Sequence, residues 1–354
     1  MTITPFRLLF AGLLSVLLFV SGSRFPDEGR TLAPGHLPVV VADGSGGIHL
    51  AFGNDSTIFY AFSADGGQTF TVPAVVAVLP NLVAGATRGP QVATTAHYVV
   101  ITVTNKVGNV FAYHLNRATG KWSSPRRVND VPDVAKEGFQ DVVGGADDTF
   151  RAAWLDLRGN QKNKIVGATS TDGGQTWSAN RVIYESPSGS VCECCRVSMA
   201  ASGRDVYVMF RNWLNGSRDL YLAHSGDAGK TYAAPQKMGS GTWKLAGCPM
   251  DGGGLSLTKT GKPITVWRRE STVYQASPGE PEQVVSSGKN GSVASGPNGP
   301  VFAWEAAGII YVKQPDKPAV ALGSGQWPRV AVAGQTVVVV WENKGRVQST
   351  ALSV

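Results

Sequence analysis

Seven copies of one two-strand pattern run through the sequence, and they constrain the fold more than any other feature. Each copy is an apolar strand that ends near an aromatic residue, followed by a polar loop and a second apolar strand. The first members, which are the second strands of the four-stranded units, are predicted at 48–52, 98–103, 150–156, 206–212, 264–270, 301–305 and 337–342. The second members, which are the third strands of the units, are predicted at 58–63, 110–115, 165–170, 220–225, 273–277, 309–313 and 346–350. Repetition at a period of tens of residues is typical of propellers and solenoids.

These copies predict an all-β fold, a β-propeller of four-stranded blades over residues 36–354. A four-stranded unit of this size cannot bury both of its faces alone, whereas radial stacking covers each sheet with its neighbours. The 43 glycines and a charged content of only 16% fit many short strands joined by tight turns. The copies indicate seven blades, and the alternatives are six blades with one merged unit or a pair of β-sandwiches.

The two ends of the chain bear on how such a ring closes. The last unit lacks a fourth strand after residue 350, so that strand must come from elsewhere in the chain. The N-terminal segment 24–35 directly precedes the first unit. Within it, Arg30–Ala33 is the candidate for a ring-closing strand.

The first 23 residues have the features of a secretory signal peptide. Arg7 gives a positive start, residues 8–20 form an apolar stretch, and Ser21-Gly22-Ser23 supplies small residues for a peptidase. The apolar stretch is short for a bilayer span. We therefore predict cleavage after Ser23, a periplasmic or secreted location, and no membrane span after cleavage. An uncleaved membrane anchor is the alternative.

Three segments that follow predicted third strands share a sharper motif. They read SADGGQTF (63–70), STDGGQTW (170–177) and SGDAGKTY (225–232). These segments resemble the Asp box, or BNR repeat, of the sialidase-like β-propeller superfamily. The carboxylates of Asp65, Asp172 and Asp227 are expected to accept backbone N–H groups within a tight turn, which is a structural role.

Strand alternation places the starts of the first strands and the loops after the second strands on one face, opposite the Asp boxes. Because first strands line the channel of a propeller, this face is expected to form the channel mouth. The sequence predicts a polar ligand-binding set there, consisting of Arg88, Asp141, Asp156, Arg196, Arg268, Glu270 and Arg329.

The resemblance to sialidase-like propellers implies three arginines that bind a substrate carboxylate, a Tyr–Glu nucleophile pair and an Asp acid/base. Arg88, Arg196 and Arg329 are predicted to occupy equivalent first-strand positions, and a guanidinium fork matches a carboxylate. The first blade reads LPVVVADG (37–44) and lacks the Arg-Ile-Pro motif of that family. No catalytic residue is therefore assigned, and salt bridging between blades is the alternative role of the arginines.

All four cysteines fall at the starts of two adjacent units. Cys192, Cys194 and Cys195 form a CxCC segment, and Cys248 occupies the matching place in the next unit. In an exported protein disulfides are expected, with one joining Cys248 to the CxCC segment. The alternatives are a copper or zinc site, for which Met250 and Met199 are nearby candidates, and reactive thiols.

The basic residues are scattered although the net charge is +7, which argues against nucleic acid as a partner. The sequence predicts a monomer that binds a glycan or a small anionic ligand at the channel mouth. Both binding alone and hydrolysis of the ligand agree with these features. A periplasmic metal-binding or redox protein, and a non-catalytic interaction scaffold, are the alternative functions.

Overall fold

The computed structural model describes Met1 and residues 29–354. The predicted signal peptide, beyond Met1, lies outside the described residues. The described part contains strands and turns, and no helix in it is long and apolar enough to cross a membrane.

Among residues 29–354, twenty-nine strands form seven sheets, and each sheet is one blade. The chain begins with β1 (Arg30–Pro34). Blade 1 contains β2 (His36–Ala42), β3 (Ile48–Asn54), β4 (Thr57–Ser63) and β5 (Ala74–Val78). Blade 2 contains β6 (Gln91–Thr94), β7 (Tyr98–Thr104), β8 (Val110–Asn116) and β10 (Arg126–Arg127), with the short β9 (Lys121–Trp122) also paired to β8. Blade 3 contains β11 (Asp141–Gly144), β12 (Phe150–Asp156), β13 (Lys164–Ser170) and β14 (Arg181–Tyr184).

Blade 4 contains β15 (Ser198–Ser202), β16 (Asp205–Leu214), β17 (Ser217–Ser225) and β18 (Gln236–Lys237). Blade 5 contains β19 (Gly254–Leu257), β20 (Pro263–Arg269), β21 (Thr272–Ala276) and β22 (Gln283–Ser287). Blade 6 contains β23 (Lys289–Gly296), β24 (Gly299–Ala306), β25 (Ile309–Lys313) and β26 (Val320–Ser324). Blade 7 contains β27 (Gln326–Ala333), β28 (Thr336–Asn343), β29 (Arg346–Ser353) and β1. The predicted propeller of seven four-stranded blades is thus confirmed.

The last blade is completed by the first strand of the chain. β1 pairs antiparallel with β29, from Arg30 opposite Ser349 to Pro34 opposite Arg346. This pairing joins the two ends of the described chain in one sheet. The ring therefore closes through hydrogen bonds between residues that are far apart in sequence.

The second strands are buried on both faces because each sheet lies between two others. Every residue of β12 is buried, and its Trp154 packs in one apolar cluster with Val100 and Val142 from blades 2 and 3. Trp341 of β28 is buried in the same way in blade 7. Burial on both faces explains why these strands read as continuous apolar runs rather than as alternating patterns.

The three segments that resemble Asp boxes form the same turn. In the first, Asp65 accepts the backbone N–H of Thr69 at 2.9 Å and the hydroxyls of Thr69 and Ser63. Asp172 and Asp227 make the corresponding hydrogen bonds in blades 3 and 4. Each carboxylate therefore organises the turn between the third and fourth strands of its blade.

Glycine is required in the first of these turns for two reasons. Gly67 has a φ of 86°, in the left-handed region. A Cβ on Gly67 would lie 2.4 Å from a methyl group of Val338 in blade 7. The turn of one blade therefore packs directly against the second strand of the preceding blade.

Candidate functional site in the central channel

The first strand of every blade contributes to one central cavity of about 400 Å³. The cavity extends along these strands to Ala42, Leu257 and Val332. Strand direction places those residues towards the face that carries the turns of Asp65, Asp172 and Asp227. The sequence instead predicted that ligands meet the channel at the opposite face, where the first strands begin.

Seven residues occupy one equivalent level at the start of the first strands, and all of them line this cavity. Four of these residues are the first in their strand to pair with the second strand. The other three directly follow a β-bulge, where the register of the pairing shifts. The set is Val39, Gln91, Asp141, Ser198, Gly254, Ser292 and Arg329.

These registers correct the predicted equivalence of the three arginines. In blade 4, the position equivalent to Arg329 is occupied by Ser198, and Arg196 lies two residues before it. In blade 2, the equivalent position is occupied by Gln91, and Arg88 lies three residues before it. The three arginines therefore do not form a symmetric triad.

Arg196 and Arg329 nevertheless meet at one level of the channel. Both line the wide cavity, and both also line a narrow cavity of about 20 Å³ nearer the starts of the first strands. Residues of the narrow cavity include Leu37, Asn290 and Trp327. The two guanidinium groups thus lie between the wide and the narrow parts of the channel.

Neither guanidinium has a carboxylate oxygen within 4.0 Å in the described part of the chain. Arg196 donates from Nη2 to the backbone oxygen of Gly253 at 2.6 Å, whereas the guanidinium of Arg329 has no hydrogen-bond partner among residues 29–354. Burial lowers the pKa of both groups, and the charge of Arg196 lowers the pKa of Arg329 further. A guanidinium stays cationic even so. The site therefore holds two close guanidinium groups that make no direct ion pair, and the charges of Asp141 and Asp251 act on both of them from beyond 4.0 Å.

Asp141 is the carboxylate on the wall of the wide cavity. Burial raises the pKa of Asp141, and Arg196 opposes that shift. Its oxygens accept the backbone N–H groups of Met199 at 2.7 Å and Val142 at 2.9 Å. Asp141 therefore joins blade 3 to blade 4 as well as facing the channel.

The other members of the predicted ligand set lie outside both cavities. Arg88 stacks on Phe139 at 4.5 Å and donates to the backbone oxygen of Glu137. Glu270 is exposed in the turn after β20 with a φ of 56°.

Arg268 and Asp156 have identifiable protein partners. Arg268 donates to the backbone oxygen of Pro249 at 2.8 Å, and its Nε lies 3.5 Å from Asp251. Asp156 is fully buried and is bonded by Arg158. Of the seven predicted residues, the structure brings Asp141, Arg196 and Arg329 together.

The cysteines form a compact sulfur group beside the channel. Cys194 and Cys248 are disulfide-bonded, with Cα atoms 5.9 Å apart, and Cys192 and Cys195 are free thiols. The Cys192 sulfur lies 3.4 Å from that of Cys195 and 3.7 Å from that of Cys194. The CxCC sulfurs are buried, and Cys248 is exposed.

The pKa values of the two free thiols are shifted in opposite directions. The hydrogen bond between Cys192 and Cys195 lowers the pKa of Cys192 to about 7 against the effect of burial, and Arg218 acts in the same direction. Burial raises the pKa of Cys195 well above its usual range. The pair therefore favours one thiolate that accepts a hydrogen bond from the other thiol.

A further basic pocket, which the sequence did not predict, lies between blades 3 and 4 near the turns of Asp172 and Asp227. Its volume is about 340 Å³, and Arg151, Arg181, Lys230 and Tyr232 line it without any carboxylate. Arg151 is 7% exposed, and its Nη1 has no hydrogen-bond partner. The signal available in the sequence was Arg151 inside the otherwise apolar run FRAAWL (150–155).

No protein-family model matches the sequence, and no curated protein matches it. Solved structures share the fold at low identity. The Hadza microbial sialidase Hz136 is 14% identical with a TM-score of 0.54, over 92% of this chain and 68% of that chain. A PL25 ulvan lyase bound to a GlcA(1-4)Rha3S saccharide is 8% identical with a TM-score of 0.56, over 92% and 96%. The SapL1 lectin in complex with α-methyl fucoside is 10% identical with a TM-score of 0.52, over 84% and 97%. At these identities the likeness concerns the β-propeller fold alone.

Proposed function

We propose that this propeller binds an anionic saccharide in its central channel, with Arg196 and Arg329 as the anion-binding residues. One observation carries the proposal. Two neighbouring guanidinium groups line the same cavities and have no carboxylate partner within 4.0 Å among the described residues. Charge-assisted hydrogen bonds from arginine are strong and suit carboxylate and sulfate groups.

The remaining wall of the wide cavity suits a sugar. Hydroxyl and amide side chains are distributed around it, and apolar first-strand residues separate them. The polar set comprises Gln91, Ser198, Ser256, Ser292 and Ser295. A volume of about 400 Å³ falls within the range of small-ligand sites. Solved propellers of similar fold include a sialidase, an ulvan lyase with a bound saccharide and a lectin with a bound fucoside.

The proposal concerns binding by a monomeric protein outside the cytoplasm. Export rests on the signal-like residues 1–23. Binding without cleavage is favoured because Asp141 is the one acidic side chain on the wide cavity, and the described lining contains no tyrosine or glutamate.

Calorimetric titration of the purified chain tests the proposal. The probes are N-acetylneuraminic acid, a glucuronic acid oligosaccharide, a sulfated oligosaccharide and a neutral methyl fucoside. We expect at least one anionic probe to bind and the neutral probe to bind at least about tenfold more weakly. Arg329→Gln is expected to weaken anionic binding at least about tenfold, because it removes a guanidinium that has no other partner.

Two matched variants locate the site. Arg127→Gln removes an exposed arginine of β10 and is expected to leave binding unchanged. Arg151→Gln removes the buried arginine of the pocket between blades 3 and 4, where Arg181 and Lys230 remain. Anionic binding that survives Arg329→Gln but is lost in Arg151→Gln would move the function to that pocket and overturn the channel proposal, as would the absence of binding by every anionic probe.

A further inference from the structure

We propose that Cys192, Cys194 and Cys195 form a thiolate site for copper(I) that becomes available when the Cys194–Cys248 disulfide is reduced. This site is separate from the proposed saccharide site. It uses the cysteine motif, which binding of an anionic saccharide does not explain.

The positions of the sulfur atoms provide the first argument. The sulfur atoms of Cys192, Cys194 and Cys195 all lie within 4.8 Å of one another. All three residues belong to one short loop, whose backbone turns their side chains towards the same point. Within the described part of the chain, no histidine nitrogen or carboxylate oxygen belongs to this group. Three converging thiolates without hard ligands match the preference of copper(I) for soft sulfur donors.

The surroundings of the sulfurs compensate negative charge. Arg218 donates from Nη1 to the Cys192 sulfur at 3.0 Å. The buried Arg211 guanidinium lies close enough to act electrostatically on both free thiols. One copper(I) ion bound by three thiolates carries a net charge of −2. The two guanidinium groups oppose this charge, and Arg218 also pairs with Glu193 at 3.3 Å.

A thioether favours copper(I) over zinc(II). Met250 packs against the three buried sulfurs and has a left-handed φ of 52°, so the backbone of this loop is held in an uncommon conformation beside them. Closed zinc sites require four tetrahedral ligands of thiolate, imidazole or carboxylate type. Here three sulfurs are buried together, and the fourth, Cys248, lies at the surface.

The disulfide controls how many thiolates are present. Cys248 is exposed, so a dithiol reductant can reach the Cys194–Cys248 bond. Reduction breaks that S–S bond, gives each sulfur one electron and one proton, and leaves the reductant as its own disulfide. Copper(I) then displaces the thiol protons of Cys192, Cys194 and Cys195 when it binds.

The experiment uses the full chain and copper(I) under anaerobic conditions. Oxidised and dithiol-reduced protein are titrated in competition with a copper(I) chelator, and bound metal is counted by elemental analysis after desalting. We expect one copper(I) per reduced chain and at least about tenfold weaker binding to the oxidised chain. Peptide mapping after alkylation should show that copper(I) protects Cys192, Cys194 and Cys195 and leaves Cys248 reactive.

A pair of charge variants tests the site without removing a sulfur. Arg218→Gln is expected to weaken copper(I) binding by roughly 10–100-fold, in the range for loss of a group that supports metal ligands. Arg346→Gln removes an exposed arginine of β29 and is the matched control with no expected change.

Three results would overturn the proposal. The first is a reduced wild-type chain that binds no copper(I). The second is copper(I) binding that leaves the CxCC thiols as reactive as before. The third is protection of all four cysteines by zinc(II) but not by copper(I), which would replace the copper site with a zinc site. Each of these measurements uses the unmodified sequence, so none of them depends on whether a variant folds.

Discussion

The hydroxyl of Thr31 donates a hydrogen bond to the side-chain oxygen of Gln348 at 3.0 Å, across 317 positions of sequence. This contact lies in the pairing of β1 with β29, which extends over four residue pairs. A chain shortened to begin at His36 would leave β29 as an open sheet edge. We expect the shortened chain to lose about 2–4 kcal/mol of unfolding free energy and to form soluble oligomers, because each lost backbone bond costs about 1 kcal/mol and open edges associate.

Urea unfolding and size-exclusion chromatography measure both effects. Thr31→Val is the matched control, because it removes the hydroxyl bond and retains the strand. It should cost no more than about 1 kcal/mol. A shortened chain that is as stable and as monodisperse as the longer one would show that β1 does not close the ring.

Asp156 supports the fold in a position where the sequence predicted a ligand-binding residue. Its Oδ1 accepts the Arg158 backbone N–H and Nε–H at 2.8 Å, and its Oδ2 accepts Arg158 Nη2 and Trp154 Nε1 at 2.9 Å. Asp156→Ala should therefore cost about 2–4 kcal/mol, because the buried Trp154 Nε1–H loses its acceptor and Arg158 keeps only Asp130 and Asn180 as side-chain partners.

Chemical denaturation measures the cost of Asp156→Ala, and saccharide titration of the folded fraction should give unchanged affinity. Asp147→Asn, at an exposed turn residue whose left-handed φ of 54° asparagine tolerates, is the comparison and should change stability by less than about 0.5 kcal/mol. Lost saccharide affinity with unchanged stability would restore Asp156 as a ligand-binding residue.

The fold could be predicted from the sequence because the burial of each blade is apparent within a short run of residues. Runs such as AAWL (152–155) and VVVVW (337–341) are apolar on both strand faces, and their spacing counts the blades. The arginine positions could not be predicted in the same way. Bulges at Leu37, Asn290 and Trp327 offset the starts of three first strands, and each of these residues has a left-handed φ that its side-chain type does not announce.

Closeness of Cys248 to the CxCC segment followed from blade order, since both lie at the starts of adjacent blades. The division into one disulfide and two free thiols depends on side-chain directions within the loops. A strand alternation rule does not supply those directions, because Cys192, Cys194 and Cys195 precede β15 rather than belong to it.

The three turns resembling Asp boxes should make stability depend on pH in acid. The Thr69 hydroxyl and backbone N–H lower the pKa of Asp65 to about 2, and equivalent threonine contacts lower the pKa of Asp172 and Asp227. Since these pKa values are lower in the folded state, the stabilisation is complete above about pH 5 and is lost as the pH falls towards about 2.

Urea unfolding between pH 6 and pH 2.5 tests this dependence. The triple variant Asp65→Asn, Asp172→Asn and Asp227→Asn should be less stable at pH 6 and should lose less stability on acidification. The control replaces Asp55, Asp147 and Asp316, which are exposed and make no such turn contacts, with asparagine. Parallel pH profiles for the wild type and the turn variant would show that other groups govern acid stability.

The channel should bind without cleaving a sialoside. Retaining and inverting glycosidases commonly use two carboxyl groups on opposite sides of the scissile bond, and sialidases use a tyrosine nucleophile. The wide cavity presents Asp141 alone, with two backbone N–H groups already bonded to its oxygens. Asp251, in the narrow cavity, accepts the N–H groups of Asn290 and Gly253. Neither carboxylate has a tyrosine or glutamate partner among the described cavity residues.

We therefore expect no release of the leaving group from a chromogenic α-sialoside at any pH between 4 and 8, even at concentrations that saturate saccharide binding. Arg329→Gln and the wild type should be equally inactive. Turnover by the wild type that disappears in Arg329→Gln and persists in Arg127→Gln would contradict this expectation. Such a result would make the channel arginines part of a hydrolytic site, with Asp141 as its acid, since burial raises the pKa of that carboxyl group.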